Sequence, residues 1–143
     1  GQYYLNGDGE KIECLGFFDY YTESASRDIR CTGNVVVETS ITGESIKVVG
    51  FENHGGQTKN NNMPFGKVLA GHGNHFKSGF EGFYNGKVLG TYMHGPLLPK
   101  NPRIADFVIK KALSKRYGNV VLEALDDTLE TRANEVMLGR ILK

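Results

Sequence analysis

The sequence changes character at Asn101-Pro102, and this change constrains the fold more than any other feature. Before it, short β-branched and aromatic runs alternate with polar, glycine-rich loops, whereas after it apolar residues recur at helical spacing. Asn101 followed by Pro102 is a favourable N-cap and first-turn pair, and Gly118 ends the pattern. The sequence therefore predicts a helix from about 102 to 116.

A second amphipathic helix is predicted at the C-terminal end. Asp127 with Glu130 three residues later resembles a capping box. One apolar face then continues to the end of the chain through Leu129, Ala133, Val136, Met137 and Ile141.

The first hundred residues are predicted to form strands. The runs 34–39 and 45–52 are separated by a turn at Gly43 and predict a β-hairpin. Further strands are expected at 12–21 with a break near Gly16, at 67–70, at 81–84 and at 87–93, with a type I′ turn at Asn85-Gly86 between the last two. Taken alone this order suggests α+β, but additional parallel βαβ units at the N-terminal side would make the whole domain α/β.

Composition excludes several classes of function. Seventeen Lys and Arg against sixteen Asp and Glu give a formal net charge of +1 without a dense basic cluster, so nucleic acid is not an expected partner. No apolar run is long enough to span a bilayer and the first residues do not resemble a signal peptide, so a soluble, cytoplasmic protein is expected. Cys14 and Cys31 lack the spacing of a zinc or redox site, which favours free thiols.

Four histidines are candidates for chemistry. His94 ends the 87–93 run between glycines, where it is either a satisfied, partly buried side chain or a general acid and base. His54 ends another strand before two glycines. His72 and His75 are three residues apart, but no third ligand with recognisable spacing follows and the HExxH pattern is absent, so no metal site is predicted.

Arg27 and Arg30 lie in a polar loop just before the strand at 34–39. A surface arginine is usually solvated, but arginine is also the natural bidentate ligand of a carboxylate. The spacing does not decide between these interpretations.

Six segments in the same order, "GQYY", "GFFDYYTE", "TGNVVVE", "VVGFENHGGQT", "GKVLAGHGN" and "GTYMHGPLLPKNP", resemble the cobyric-acid-synthase-like class I glutamine amidotransferases. The resemblance is strongest to the amidotransferase subunits of bacterial lipid II isoglutaminyl synthases. It implies an α/β, flavodoxin-like three-layer fold, of which residues 1–143 would be the C-terminal part of a single domain.

The resemblance also implies an activity and residue roles. A cysteine thiolate would attack glutamine and release ammonia, with His94 relaying the proton and Arg30 binding the carboxylate of glutamine. His54 is a further expected substrate contact. The nucleophile elbow of the family ends a few residues before the segment that matches "GQYY", so the elbow, the oxyanion hole and the first strands are expected upstream of Gly1.

Partners and cofactors follow from the same resemblance. A Mur-ligase-like subunit would use ATP and Mg²⁺ to activate D-glutamate of lipid II, while this chain would bind no cofactor and no metal. Residues 97–102 contain no acid to orient His94, which implies a dyad or an acid lent by the partner. Two alternatives stay open: a non-catalytic glutaminase-like module that binds a partner, and an amidotransferase that acts on a corrinoid precursor.

Overall fold

The computed structural model describes residues 1–25 and 29–143. The first strands are β1 (Tyr3–Leu5), β2 (Lys11–Glu13), β3 (Tyr21–Ser24), β4 (Cys31–Thr39), β5 (Ile46–His54) and β6 (Gly56–Lys59). They are followed by β7 (Gly66–Ala70), β8 (Phe80–Glu81), β9 (Phe83–Tyr84), β10 (Leu89–Gly90) and β11 (Met93–His94). A 3₁₀ turn (Leu98–Lys100) leads into helices α1 (Pro102–Tyr117) and α2 (Thr128–Ile141).

The predicted hairpin is confirmed and forms the centre of a five-stranded sheet. β4 and β5 pair antiparallel from Cys31 opposite His54 to Thr39 opposite Ile46. Gly43 in the connecting loop has a φ of 97°, which favours glycine. The strand order β11-β5-β4-β7-β8 is antiparallel throughout.

The main core lies on one face of this sheet, which we call the inner face. Val35, Val37 and Val48 point to it and pack with side chains from outside the hairpin, namely Phe65, Met93 and Ile104 of α1. These side chains are buried, and each contributes on the order of 1.5–3 kcal/mol to folding.

The opposite face, which we call the outer face, is only partly covered. Val36 and Val49 point to it and are fully buried, and α2 contacts the two strands that carry them. Farther along the same strands, Asn34, Phe51 and Asn53 are exposed. The outer face is therefore covered at its centre and open at one end.

A second sheet has the order β2-β1-β3-β6, with β1 and β3 parallel. The strand predicted from 12 to 21 with a break near Gly16 is confirmed only at its two ends, because the break is much longer than predicted. β2 ends at Glu13 and β3 begins at Tyr21, while Leu15 and Phe17 between them are 82% and 76% exposed. These apolar residues produced a strand-like pattern although they do not contact the core.

The strands predicted at 81–84 and 87–93 are each divided in two. Gly82, with a φ of 66°, separates β8 from β9, and Thr91 and Tyr92 separate β10 from β11. The type I′ turn is also wrong, because Gly86 has a positive φ and Asn85 does not. Instead, the Asn85 side-chain oxygen accepts the N–H groups of residues 87 and 88.

The two predicted helices are confirmed, and they begin directly after the predicted cap residues. Neither Asn101 nor Asp127 makes a side-chain capping bond. The predicted apolar face of α2 is partly wrong, since Leu129 is 77% and Val136 is 45% exposed. The strand-rich chain with two C-terminal helices otherwise agrees with the expected class.

Candidate active site

His94 lies at the end of the edge strand β11, and its side chain is exposed. β11 pairs antiparallel with β5, which places Met93 beside Glu52 and His94 beside Phe51. Because side chains alternate across a strand, Met93 points into the core and His94 points to the outer face. A Cβ at Gly95 would meet nothing within 4 Å, so the backbone after His94 is open to a ligand.

Arg30 lies immediately before β4 and bonds to Asn53 of β5. Its Nε lies 3.1 Å and its Nη2 lies 2.9 Å from Oδ1 of Asn53, and Nη2 is also 3.2 Å from the carbonyl oxygen of Asn53. Within the described part of the chain, Nη1 has no hydrogen-bond partner, and it carries two N–H donors. The guanidinium is therefore held in place while keeping donors for a carboxylate. Arg27 lies outside the described residues.

The structure brings Arg30 and His94 to the same face of the sheet. Asn53, which holds Arg30, and Phe51, which pairs with His94, are two residues apart on β5 and both are exposed on the outer face. Two residues along a strand span roughly 7 Å. β11 and β4 flank β5 on opposite sides, so β5 separates the strand that carries His94 from the strand that Arg30 precedes.

A cavity of about 410 Å³ adjoins Arg30. This volume is within the range of small-molecule sites, roughly 300–1,000 Å³. Among the described residues, the lining includes the guanidinium of Arg30 and the carboxylate of Asp8. The described lining residues are Gly7, Asp8, Ser24, Ala25, Ile29, Arg30 and Gly55. Charges of both signs at one cavity match the carboxylate and ammonium of an amino acid.

The structure does not bring His54 to this face. His54 is 6% exposed, and its Nδ1 donates to the carbonyl oxygen of Gly56 at 2.7 Å. Its ring stacks on Tyr92, with centroids 3.8 Å apart, and Nε2 lies 3.8 Å from Oε2 of Glu52. His54 thus belongs to the inner side of the sheet, and its role as a substrate contact stays a prediction.

Sequence reasoning missed two buried carboxylates on the inner side. Glu52 is 1% exposed and accepts the N–H groups of His72 at 2.7 Å and Gly73 at 2.9 Å. Burial alone would raise its pKa, but the His54 imidazole and the two N–H groups outweigh burial and hold the pKa of Glu52 below its ordinary value. The strand alternation in "VVGFENH" contained the signal, because it places Glu52 on the same face as Val48.

Glu81 is the second buried carboxylate and is fully inaccessible to solvent. Burial raises its pKa to about 7, although the N–H of Tyr92 and the hydroxyl of Thr91 partly offset this effect. The negative charge of Glu52 raises the pKa further. The short run around Glu81 gave no sequence signal for its burial.

Neither cysteine lies beside His94 on the outer face. Cys31 pairs with His54 across β4 and β5, is fully buried and lies 3.6 Å from Nε2 of Gln57. Burial raises the pKa of its thiol, which disfavours the thiolate that a nucleophile requires. Cys14 is exposed and follows β2 in the other sheet.

Residues 1–25 and 29–143 contain neither a candidate metal site nor a membrane-spanning helix. In these ranges, no three His, Cys, Asp or Glu side chains are grouped so that they could hold a metal ion. Neither helix of these ranges has the length and hydropathy needed to cross a membrane.

Residues 1–102 match the model of the CobB/CobQ-like glutamine amidotransferase domain. The match covers most of the chain and ends at the start of α1. The chain therefore belongs to this family of glutamine amidotransferase domains, and the resemblance recognised in its motifs is confirmed.

Individual relatives match nearly the whole chain. The chain is 39% identical over 140 residues to the lipid II isoglutaminyl synthase (glutamine-hydrolyzing) subunit GatD of Staphylococcus aureus, covering 98% of this chain and 56% of the relative. It is 35% identical over 138 residues to the subunit of the same name from Streptococcus pneumoniae, covering 94% and 52%. A probable cobyric acid synthase of Methanococcus maripaludis is 27% identical over 152 residues, covering 98% and 30%. The chain thus spans about half the length of the two GatD relatives.

Proposed function

We propose that the protein containing this chain hydrolyses glutamine to glutamate and ammonia, and that His94 and Arg30 carry part of this chemistry. The observation that supports the proposal most directly is the placement of both side chains on one open sheet face, joined through Phe51 and Asn53 of β5. Membership of a glutamine amidotransferase family supports it independently.

Each side chain has a defined task. Nη1 of Arg30 donates to the α-carboxylate of glutamine, and Asp8 on the cavity lining faces its ammonium group. The carboxamide of the same molecule then extends along β5 toward His94. Asn53 keeps the guanidinium directed toward the cavity.

The reaction proceeds through an acyl-enzyme. A cysteine thiolate attacks the carboxamide carbon, and the imidazolium of His94 protonates the departing nitrogen, which leaves as ammonia. Neutral His94 then removes a proton from water, which attacks the thioester and releases glutamate and the thiol. Because Cys31 faces the inner side, we assign the nucleophile to a segment outside residues 1–143.

We further propose that the ammonia is used by an ATP-dependent, Mur-ligase-like partner that amidates D-glutamate in lipid II. The Staphylococcus and Streptococcus relatives are each named as a subunit of a lipid II isoglutaminyl synthase, which supports this acceptor. ATP and Mg²⁺ would bind the partner, and the complex would act in the cytoplasm at the inner face of the membrane.

The corrinoid alternative rests on the cobyric acid synthase relatives. An amidation assay separates the two acceptors. The full-length protein is incubated with a Mur-ligase-like protein, ATP, Mg²⁺ and ¹⁵N-amide glutamine, and label is measured in lipid II and in a corrinoid carboxylic acid. Label in lipid II is expected, and label in the corrinoid alone would refute the proposed acceptor.

The glutaminase step is tested by substituting His94. In the full-length protein, His94→Ala should lower kcat for ammonia release by about 100- to 10,000-fold, the usual contribution of a general acid and base. His75→Ala serves as the matched control, because His75 is a loop histidine whose Nδ1 contacts the carbonyl oxygen of its neighbour Phe76. Unchanged ammonia release by His94→Ala would refute the role of His94, and no release by the wild type would favour a non-catalytic binding module.

A further inference from the structure

The side chain of Glu81 connects the two edges of the five-stranded sheet. Glu81 ends β8 at one edge, and the segment that it contacts leads into β11 at the other edge. Its Oε1 accepts the backbone N–H of Tyr92 at 2.7 Å. One side chain therefore links the strand at the far edge to the strand that ends in His94.

A second contact strengthens this link. The Thr91 hydroxyl donates to the Glu81 carboxylate, with oxygen distances of 3.0 and 3.1 Å. The same hydroxyl accepts the N–H of Met93 at 2.9 Å. Glu81 therefore contacts Thr91 and Tyr92 directly and Met93 through Thr91, which fixes the three residues before His94.

The placement of Glu81 is not explained by packing. A buried carboxylate is costly unless a cation offsets its charge, and no Lys or Arg contacts Glu81 in the described part of the chain. The titratable groups that interact with it are Glu52 and His54 of β5. A neutral side chain of the same size would fill this space at lower cost.

We propose that Glu81 is a positioning residue for His94, and that it acts through Thr91 and Tyr92. This inference rests on the proposed glutaminase function. The ionised carboxylate accepts both the Tyr92 N–H and the Thr91 hydroxyl, and charge-assisted bonds of this kind are stronger than neutral ones. They hold the two-residue interruption between β10 and β11 in one geometry, so that β11 presents His94 to the outer face.

The connection depends on pH. Because the pKa of Glu81 is about 7, the carboxyl gains a proton as the pH falls through neutrality. Protonation converts one acceptor oxygen into a donor and weakens the bond to the Tyr92 N–H. Thr91 must then reorient, although its oxygen already accepts the Met93 N–H. His94 is therefore held less firmly below pH 7 than above it.

Glu81→Gln in the full-length protein tests this inference through the pH profile of glutamine hydrolysis. At pH 8, the variant should lose about 5- to 10-fold in kcat, the difference between a charge-assisted and a neutral hydrogen bond, while KM for glutamine changes less than twofold. Below pH 6, where Glu81 is itself neutral, the two proteins should converge. Glu44→Gln is the control, because Glu44 is 75% exposed and pairs with Arg103 at the surface.

Hydrogen exchange provides a measurement that does not depend on activity. The amides of Tyr92 and Met93 should exchange faster at pH 8 in Glu81→Gln than in the wild type, while α1 is unchanged. If Glu81→Gln does not fold, Thr91→Val removes only the hydroxyl contacts and should give the same losses, with Thr91→Ser restoring them.

The outcomes separate the two proposals. If the wild type is inactive, the glutaminase function is refuted. If its Tyr92 amide nevertheless exchanges more slowly than in Glu81→Gln, the link between the two sheet edges still stands. The role of Glu81 is overturned if the wild type is active and folded Glu81→Gln has the same kcat and the same amide exchange as the wild type, both at pH 8 and below pH 6. A change in KM without a change in kcat also overturns it.

Discussion

The imidazole of His54 lies parallel to the phenol ring of Tyr92, with centroids 3.8 Å apart and an interplanar angle of 7°. The Tyr92 hydroxyl lies 2.8 Å from Oγ1 of Thr58, which in turn lies 2.9 Å from Oγ1 of Thr22 in the second sheet. The stack therefore joins the end of β5 to the segment before His94 and to the neighbouring sheet. This arrangement gives His54 a structural task in addition to the substrate contact predicted from the sequence.

His54→Ala should destabilise the fold by about 2–4 kcal/mol, because it removes a buried ring, its stacking contact with Tyr92 and its bond to Gly56. Urea unfolding followed by circular dichroism measures the change. His75→Ala, at a partly exposed loop histidine, should cost less than about 0.5 kcal/mol. Equal stability of the two variants would contradict the structural task of His54.

Arg30→Lys should raise KM for glutamine by about tenfold or more and change kcat little, because an ammonium cannot reproduce the planar set of donors that Asn53 orients. Asn53→Ala should shift KM in the same direction, since it frees the guanidinium to rotate. Steady-state kinetics in the full-length protein measures both. An unchanged KM in both variants would show that Arg30 does not bind the carboxylate, and Arg103→Lys serves as the surface control.

The sequence predicted the elements that depend on local pattern. The β4–β5 hairpin has β-branched runs on both sides of a glycine turn, and α1 combines helical periodicity with a glycine stop, so the chain within each element suffices to specify it. The prediction that His94 ends a strand also rested on local sequence, and β11 ends at this residue.

The errors arise where distant residues decide the local structure. Asn101 is a residue type that favours an N-cap, but its side chain accepts the N–H of Val49 and donates to the carbonyl oxygen of Val49. It therefore satisfies the edge of β5 beyond the end of β11. The run from 87 to 93 is divided because Glu81, from another strand, binds Thr91 and Tyr92. Leu15 and Phe17 look like core residues, yet they are exposed, because burial depends on which surfaces meet in three dimensions.

The two thiols should react at very different rates. Cys14 is exposed, whereas Cys31 is fully buried and burial raises the pKa of its thiol. In the native protein at pH 8, iodoacetamide should label Cys14 at least about 100-fold faster than Cys31. Mass spectrometry of the peptides measures both rates, and Cys31 should reach the rate of Cys14 in urea. Fast labelling of Cys31 in the native protein would contradict its burial in the core.

Glu81→Gln should increase stability at pH 8 even though it lowers activity. Burial raises the pKa of Glu81 from 4.5 to about 7, so the folded state resists its ionisation. The stability associated with neutral Glu81 is fully present below pH 4.5 and is lost as the pH rises through 7, which amounts to about 3 kcal/mol at 1.36 kcal/mol per pKa unit. Glutamine retains the neutral form at every pH.

The free energy of unfolding of Glu81→Gln should therefore equal that of the wild type near pH 4.5 and exceed it by up to about 3 kcal/mol at pH 8. Glu52 acts in the opposite sense, because its lowered pKa stabilises the fold above its unfolded pKa and this contribution is lost as the pH falls. Glu52 is unchanged in the variant, so its contribution cancels when the two proteins are compared by urea unfolding at each pH. A variant that is less stable than the wild type, or unchanged, at pH 8 would contradict the raised pKa of Glu81. A more stable variant with a lower kcat would instead mean that the ionised Glu81 side chain serves the geometry of His94 at the expense of stability.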